Sequence, residues 1–414
     1  MSEASKAAVI VGAGQAGSDL ALELRRLRWP GPITLIGDEP HLPYQRPPLS
    51  KAMLLGEAAP ESLLLKGAQA YAKGGITVRT GQRVAEIDRV GHHVILSSGK
   101  RIPYAKLGLA LGGHARELRV PGHLLRNIHY LRTIEDAQGL RDAFVPGRRL
   151  VIVGGGYVGL EVASAAKALG LQVTVLESAP RVLARVTAPA LSTFYEEVHR
   201  AEGVLIRTGS TVVRFEGTSM SAVRAVICGD GEELPADIVL VGIGLVPNTA
   251  LAEECGLVVE DGILVDERQR TADPDIVAAG DCVRFHSAFL ERWTRLESVP
   301  NAMEQARTAA ATLCGAERPY TAAPWFWSEQ YGLKLQMVGV AQDYDATALR
   351  GSMAGRAFIV FYLKEGRIIA ADSVNRLGEF MTARRLVDAR VHATPERLAD
   401  ESAPLKALLQ KQAA

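Results

Sequence analysis

Apolar residues 7–11 run without a break and stop at Gly12-Ala-Gly14-Gln-Ala-Gly17. Apolar positions then recur at helical spacing to about Arg28, and a short apolar strand ends at Gly37, followed by Asp38. The same scheme returns at 150–153, with Gly154-Gly-Gly156-Tyr-Val-Gly159, a helical stretch to about Leu169 and a strand ending on Glu177. Residues 76–110 and 204–244 alternate apolar and polar positions as strands do. Beyond about Ala322 the character changes. Trp325, Phe326 and Trp327 precede three predicted strands near 335–341, 357–363 and 368–374, then two predicted helical segments near 376–389 and 403–412.

Each glycine-rich copy reads as strand, tight turn, helix, strand and terminal acid. The acid follows the first glycine by 26 residues in one copy and 23 in the other. This is the spacing of a dinucleotide-binding unit. The first glycine permits the turn, the second lets backbone approach a pyrophosphate, and the third lets helix pack on strand. The helix start then offers unpaired N–H groups to phosphates, and the acid accepts hydrogen bonds from a ribose.

Composition narrows the field. A chain of 414 residues exceeds one hydrophobic core, so two or three domains are expected. Its net charge of +1 gives no bulk attraction to nucleic acid or to a membrane surface. No apolar stretch reaches the ~20 residues that span a bilayer. The short N-terminal lead into the first strand leaves no room for a signal peptide, which points to the cytoplasm. Cys228, Cys255, Cys282 and Cys314 are widely spaced and form neither a CxxC pair nor a metal-ligand pattern. They read as buried spectator thiols, which weighs against a disulfide reductase or a cysteine-based peroxidase. The histidines, His92-His93 included, likewise show no ligand spacing.

Further segments carry a family resemblance. Thr271-Ala-Asp-Pro-Asp-Ile-Val-Ala-Ala-Gly280-Asp281 resembles the second FAD fingerprint of flavoproteins with two dinucleotide sites. Tyr44-Gln-Arg-Pro-Pro-Leu-Ser-Lys51, Gly154 to Glu161, Gly242 to Asn248, Glu297 to Ala306 and Pro324-Trp-Phe-Trp-Ser328 are similar to segments of the oxygenase-coupled ferredoxin reductases. These motifs occur in family order over essentially the whole chain. One departure stands out: the family's Ala-Thr-Gly at the domain crossover reads Ala110-Leu111-Gly112 here.

The resemblance implies an α/β protein with a glutathione-reductase-like layout. It has two Rossmann-like domains, for FAD (1–115 and 245–321) and for NADH (116–244), and a C-terminal α+β domain (322–414). It implies FAD contacts from Gly12, Gly14, Ala16, Gly17, Asp38, Lys51, Val84, Arg132, Asp281, Val299 and Trp327. It implies NADH contacts from Gly154, Gly156, Gly159, Glu177, Ile243 and Gly244. Lys51, beside the flavin, pairs on this reading with Glu161, which moves as nicotinamide enters. A carboxylate at Glu177 hydrogen-bonds a ribose 2′-hydroxyl and repels a 2′-phosphate, so NADH is expected over NADPH despite Arg181 and Arg185 nearby.

The implied activity is NADH:ferredoxin oxidoreduction, with a two-iron two-sulfur ferredoxin as partner and a haem monooxygenase or dioxygenase downstream. No nucleic acid or membrane partner is expected, and the chain is expected to be a monomer or weak homodimer. The alternatives are a rubredoxin reductase, an NADH oxidase, or an NADH-sensing flavoprotein like apoptosis-inducing factor. Arg292, Arg295, Arg307 and Lys334 are candidates for a basic ferredoxin-docking rim near Trp327.

Overall fold

The computed structural model describes residues 6–410 and divides the chain into two compact units. The first contains the chain up to Gln45, Glu61–His114 and Val246–Pro324, and the second Arg46–Pro60, Ala115–Leu245 and the chain from Trp325 onward. This is a coarser division than the three domains expected from the sequence, and 46–60 falls in the second unit.

The first unit is built on a five-stranded parallel sheet. Its order in space is Ile276–Ala278, Lys106–Leu109, Ala8–Val11, Ile33–Ile36 and Ile76–Arg79. The central strand, Ala8–Val11, is buried along its whole length, which explains why it reads as an unbroken apolar run. The helices Gln15–Arg26 and Val299–Leu313 bury Leu20, Leu24, Ala306 and Ala310 in one core with Ile10 and Leu35. Gly108 is a packing requirement here, since a Cβ on it would lie 2.5 Å from the Leu20 side chain.

The second unit repeats the plan. Leu205–Thr208, Gln172–Glu177, Arg149–Val153, Ile238–Val241 and Ile128–His129 form its parallel sheet in that order. The repeat is longer than the glycine motif. In both units a three-stranded antiparallel meander, 84–103 in one and 212–235 in the other, is inserted just before a strand that returns to the parallel sheet. These meanders are the middle of the alternating segments 76–110 and 204–244, whose ends are strands of the parallel sheets.

The C-terminal part, within the second unit, is a five-stranded antiparallel sheet. Its spatial order is Trp325–Gln330, Leu333–Gly339, Arg367–Val374, Ala357–Lys364 and Ala346–Ser352, with helix Leu377–Asp388 packed on it. Two of these strands depart from the sequence reading. The Trp325 cluster is itself a strand, and Ala346–Ser352 is a strand too polar to announce itself. The helix expected at 403–412 is only Ala407–Gln410 among the described residues, beginning after Pro404, and its remainder lies outside them. No helix among the described residues is long and apolar enough to cross a membrane.

Candidate functional site

The glycines of the two turns are placed alike. Gly12 donates its N–H to Ile36 O (2.8 Å) and Gly154 to Leu176 O (2.7 Å). Both have positive φ, +104° and +112°. A Cβ on Gly12 would fall 2.0 Å from Ala110 O, and one on Gly154 would fall 2.4 Å from Gly242 O. Gly17 and Gly159 sit inside their helices, where a Cβ would meet the carbonyl oxygen of Gly12 at 1.8 Å or of Gly154 at 2.2 Å. Gly14 and Gly156 differ from these four. Each caps the N-terminus of its helix in extended conformation, and a Cβ there would meet nothing within 4 Å. The open space lies where a dinucleotide's phosphates would approach the free helical N–H groups. Both turns therefore fit such a group.

The first unit also holds Asp38, Val84, Gly280, Asp281 and Val299. Gly280 (φ +93°) donates its N–H to Gln305 Oε1 at 2.8 Å, and its Cα side faces Ala16, whose Cβ would lie 3.0 Å from a Cβ at 280. Asp281 follows it, half-buried, and Val299 opens the helix capped by Ser298 Oγ. Asp38 is exposed at the end of its strand, and Val84 is buried in the antiparallel meander. The crossover that lacks threonine is held from the other side. Asn248 donates its backbone N–H to Gly112 O (3.0 Å) and its Nδ2 to Leu111 O (2.9 Å).

In the second unit Glu177 closes onto its own turn. One carboxylate oxygen accepts the Gly155 N–H (2.7 Å) and the other the Ala179 N–H (2.8 Å). Arg181 is tied to Ser192 Oγ (2.5 Å) and Ala184 O (3.0 Å), which leaves it poorly placed to bind a 2′-phosphate. Arg185 approaches Gly244, its guanidinium 3.4 Å from a Cβ built there. Ile243 packs against the core of this unit, and Arg132 lies where the Arg46 guanidinium donates to its carbonyl (2.6 Å).

Lys51 and Glu161, 110 residues apart in sequence, form an ion pair of 2.5 Å, the lysine 22% and the carboxylate 5% exposed. Ser50 Oγ donates to the same carboxylate oxygen at 2.5 Å, and Ser328 Oγ to the other at 2.7 Å. A buried carboxylate needs such donors, because an unpaired charge in the interior is costly. Sequence reasoning named neither serine as a site residue. Both lie inside quoted motifs, but nothing local marks their hydroxyls. Trp327, one residue before Ser328, is half-buried on the opposite face of its strand, 5.5 Å from the Trp325 ring.

The charge and thiol chemistry sharpens two expectations. Arg295 is bound to Glu297 (2.5 Å) and Asp261 (3.6 Å) and is only 12% exposed, while Arg307 pairs with Glu304. Arg295 is thereby neutralised and a poor docking cation, whereas Arg307 shares its carboxylate with Arg318. The four cysteines are unpaired, and burial pushes each thiol up, that of Cys282 to about 11. Thiols whose ionisation is made harder in this way are poor nucleophiles at neutral pH. No cluster of three or more His, Cys, Asp or Glu suited to a metal occurs among the described residues.

Residues 6–306 match the family described as pyridine nucleotide-disulphide oxidoreductase, and residues 325–409 match the reductase C-terminal family. The chain is 49% identical to putidaredoxin reductase CamA of Pseudomonas putida over 405 residues, 97% of this chain and 96% of that one. It is 42% identical to rhodocoxin reductase of Rhodococcus erythropolis, covering 96% of this chain and 93% of that one. The crystal structure of the covalent putidaredoxin reductase–putidaredoxin complex superposes with a TM-score of 0.95 at 48% identity, covering 99% of each chain. Two equivalent dinucleotide turns, a C-terminal sheet and similarity over the full length lead to one conclusion: the chain belongs to the pyridine nucleotide-disulphide oxidoreductase family, among its ferredoxin reductases.

Proposed function

We propose that the chain oxidises NADH and passes the electrons singly to a two-iron two-sulfur ferredoxin that serves an oxygenase in the cytoplasm. The observation that carries this is the pair of equivalent open turns at Gly14 and Gly156, each with an acid at the end of the following strand. Two dinucleotides can bind one chain, and full-length similarity to putidaredoxin reductase supports FAD and NADH as the two. When bound, FAD supplies the conversion between a two-electron hydride donor and a one-electron acceptor.

The residues divide the work. Gly12, Gly14, Ala16, Gly17 and Asp38 are proposed to hold the ADP part of FAD, and Asp281, Val84 and Val299 its remainder. Gly154, Gly156, Gly159, Ile243 and Gly244 are proposed to hold NADH, with Glu177 on the adenosine ribose. Lys51, Arg132 and Trp327 keep the flavin-contacting roles that the resemblance implies. Lys51 is proposed to favour the reduced flavin by its positive charge, and Glu161 to hold the lysine in place. The boundaries 1–115, 116–244, 245–321 and 322–414 are retained as the proposed domain limits.

The experiment is a panel on the FAD-loaded protein. NADH and NADPH are each tried as donor, with a two-iron ferredoxin and a rubredoxin as acceptors. NADH with ferredoxin should be the fastest pair by kcat/KM. Faster turnover with rubredoxin, or equal use of NADPH, would overturn the assignment.

A further inference from the structure

The Glu161 carboxylate is the end of a longer buried chain that enters the C-terminal sheet. Ser328 Oγ, which contacts Glu161 at 2.7 Å, lies 3.2 Å from Gln330 Nε2. Gln330 Oε1 lies 2.8 Å from His199 Nε2, and His199 Nδ1 lies 3.2 Å from the Tyr331 hydroxyl. Ser328, Gln330 and His199 are each at most 1% exposed. Tyr331 is fixed in turn by its backbone N–H, which donates to Ser164 Oγ at 2.9 Å on the helix that carries Glu161.

The proton order along this chain is determined by its ends. An ion-paired carboxylate only accepts, so the single proton of Ser328 must go to Glu161. The Ser328 oxygen then accepts from the Gln330 amide, which turns the amide oxygen toward His199. That oxygen requires a proton on His199 Nε2. Burial pushes the imidazole down to about 4, so at neutral pH it is uncharged and its bare Nδ1 accepts from the Tyr331 hydroxyl. Every donor in the chain therefore points toward Glu161. Aligned hydrogen bonds of this kind polarise one another and hold their terminus in one orientation.

We propose that Ser328, Gln330, His199 and Tyr331 form a one-way donor relay whose task is to fix the Glu161 carboxylate against Lys51, making these four positioning residues for flavin reduction by NADH. This rests on the reading of Lys51 and Glu161 given above. The relay also explains the strand Trp325–Gln330. Ser328 and Gln330 are turned inward to the carboxylate, while Trp325 and Trp327 occupy the opposite face.

The test uses the FAD-loaded protein under anaerobic stopped flow, with Glu161→Gln, Ser328→Ala, Ser328→Thr, Gln330→Met and the double variant Ser328→Ala/Glu161→Gln. Losing a hydrogen bond to a buried charged group should slow flavin reduction by NADH about tenfold in Ser328→Ala. Gln330→Met should slow it by about threefold, as a link one step removed. Ser328→Thr keeps the hydroxyl and should restore the parent rate. The double variant should be no slower than Glu161→Gln alone, because the serine acts only through that carboxylate. NADH affinity and FAD retention should stay near parent values in the Ser328 and Gln330 variants.

A second readout is the flavin's two-electron midpoint potential. Loosening Glu161 leaves the Lys51 charge less compensated, so Ser328→Ala should shift the potential positive, in the same direction as Glu161→Gln. A parent rate and potential in Ser328→Ala, with Glu161→Gln slow, would overturn the relay and leave the ion pair standing. Additive effects in the double variant would also overturn it. Parent behaviour in both Glu161→Gln and a Lys51→Ala variant measured alongside would instead remove the reading on which the relay depends. Should Ser328→Ala fail to fold, Gln330→Met and Ser328→Thr carry the same comparison.

Discussion

Exchanging single glycines for alanine separates the two nucleotide sites from each other and from the fold. At Gly14 and Gly156 a Cβ meets no protein atom within 4 Å, and the backbone is extended, φ −88° and −81°. Alanine fits such a backbone without strain and restricts the unfolded chain, which by itself stabilises by about 0.4–1 kcal/mol. The apoprotein of Gly14→Ala or Gly156→Ala should therefore unfold at the parent temperature or slightly above. The added methyl would project into the space where phosphate must come close. Overpacking of that kind costs about 1–3 kcal/mol, roughly 5- to 150-fold in affinity. Gly14→Ala should lose FAD on dialysis, read from the flavin absorbance. Gly156→Ala should keep FAD and bind ADP-ribose more weakly by titration. Gly17→Ala and Gly159→Ala would press a Cβ to within 1.8 and 2.2 Å of rigid backbone oxygens and should lower the unfolding temperature of the apoprotein itself. Parent FAD retention in Gly14→Ala, or FAD loss in Gly156→Ala with NADH binding intact, would refute the assignment of the two turns.

Glu177→Ala should narrow the preference for NADH over NADPH by about tenfold in kcat/KM, since the acid that opposes a 2′-phosphate is gone. Two buried groups of the second unit should give opposite pH slopes. Burial raises Asp372 from 3.8 to about 6, against hydrogen bonds from Tyr362 (2.8 Å) and Thr187 (2.9 Å), so its contribution is full below the unfolded value and lost as pH rises through about 6. His199 is lowered from 6.5 to about 4, so its contribution is present above the unfolded value and lost as pH falls toward 4. Urea midpoints between pH 4 and 6.5 should thus rise more steeply with pH in Asp372→Asn than in the parent, and less steeply in His199→Phe. Each difference is on the order of 2–3 kcal/mol across the window. Ferredoxin reduction should slow from low to high salt more than ferricyanide reduction does, because steering between charged proteins is screened over ~10 Å at 0.1 M salt.

What the sequence made legible is what local geometry demands. The positive φ of the first glycine, the third glycine inside each helix and the acid at the strand end belong to one strand–turn–helix–strand, so they recur as a pattern, although the carbonyls that crowd Gly12 and Gly154 come from the distant Ala110 and Gly242. The two halves of the parallel scaffold follow for the same reason. The ion pair of Lys51 with Glu161 was reachable only through family resemblance, since 110 residues separate them. The relay was not reachable at all, because His199, Ser328 and Gln330 are ordinary residues until the sheet brings them to one carboxylate. The strand Ala346–Ser352 was missed because every position but Leu349 is small or polar. Arg295 looked like a docking cation until the fold placed Glu297 and Asp261 beside it.

The central claim is a change from two-electron to one-electron transfer on one chain, and an anaerobic titration tests it directly. Limiting NADH is added to the FAD-loaded protein with excess oxidised two-iron ferredoxin, and the loss of ferredoxin absorbance is counted against NADH consumed. The account predicts two ferredoxins reduced for each NADH. NADH consumed with the ferredoxin left oxidised, while ferricyanide is still reduced, would contradict it.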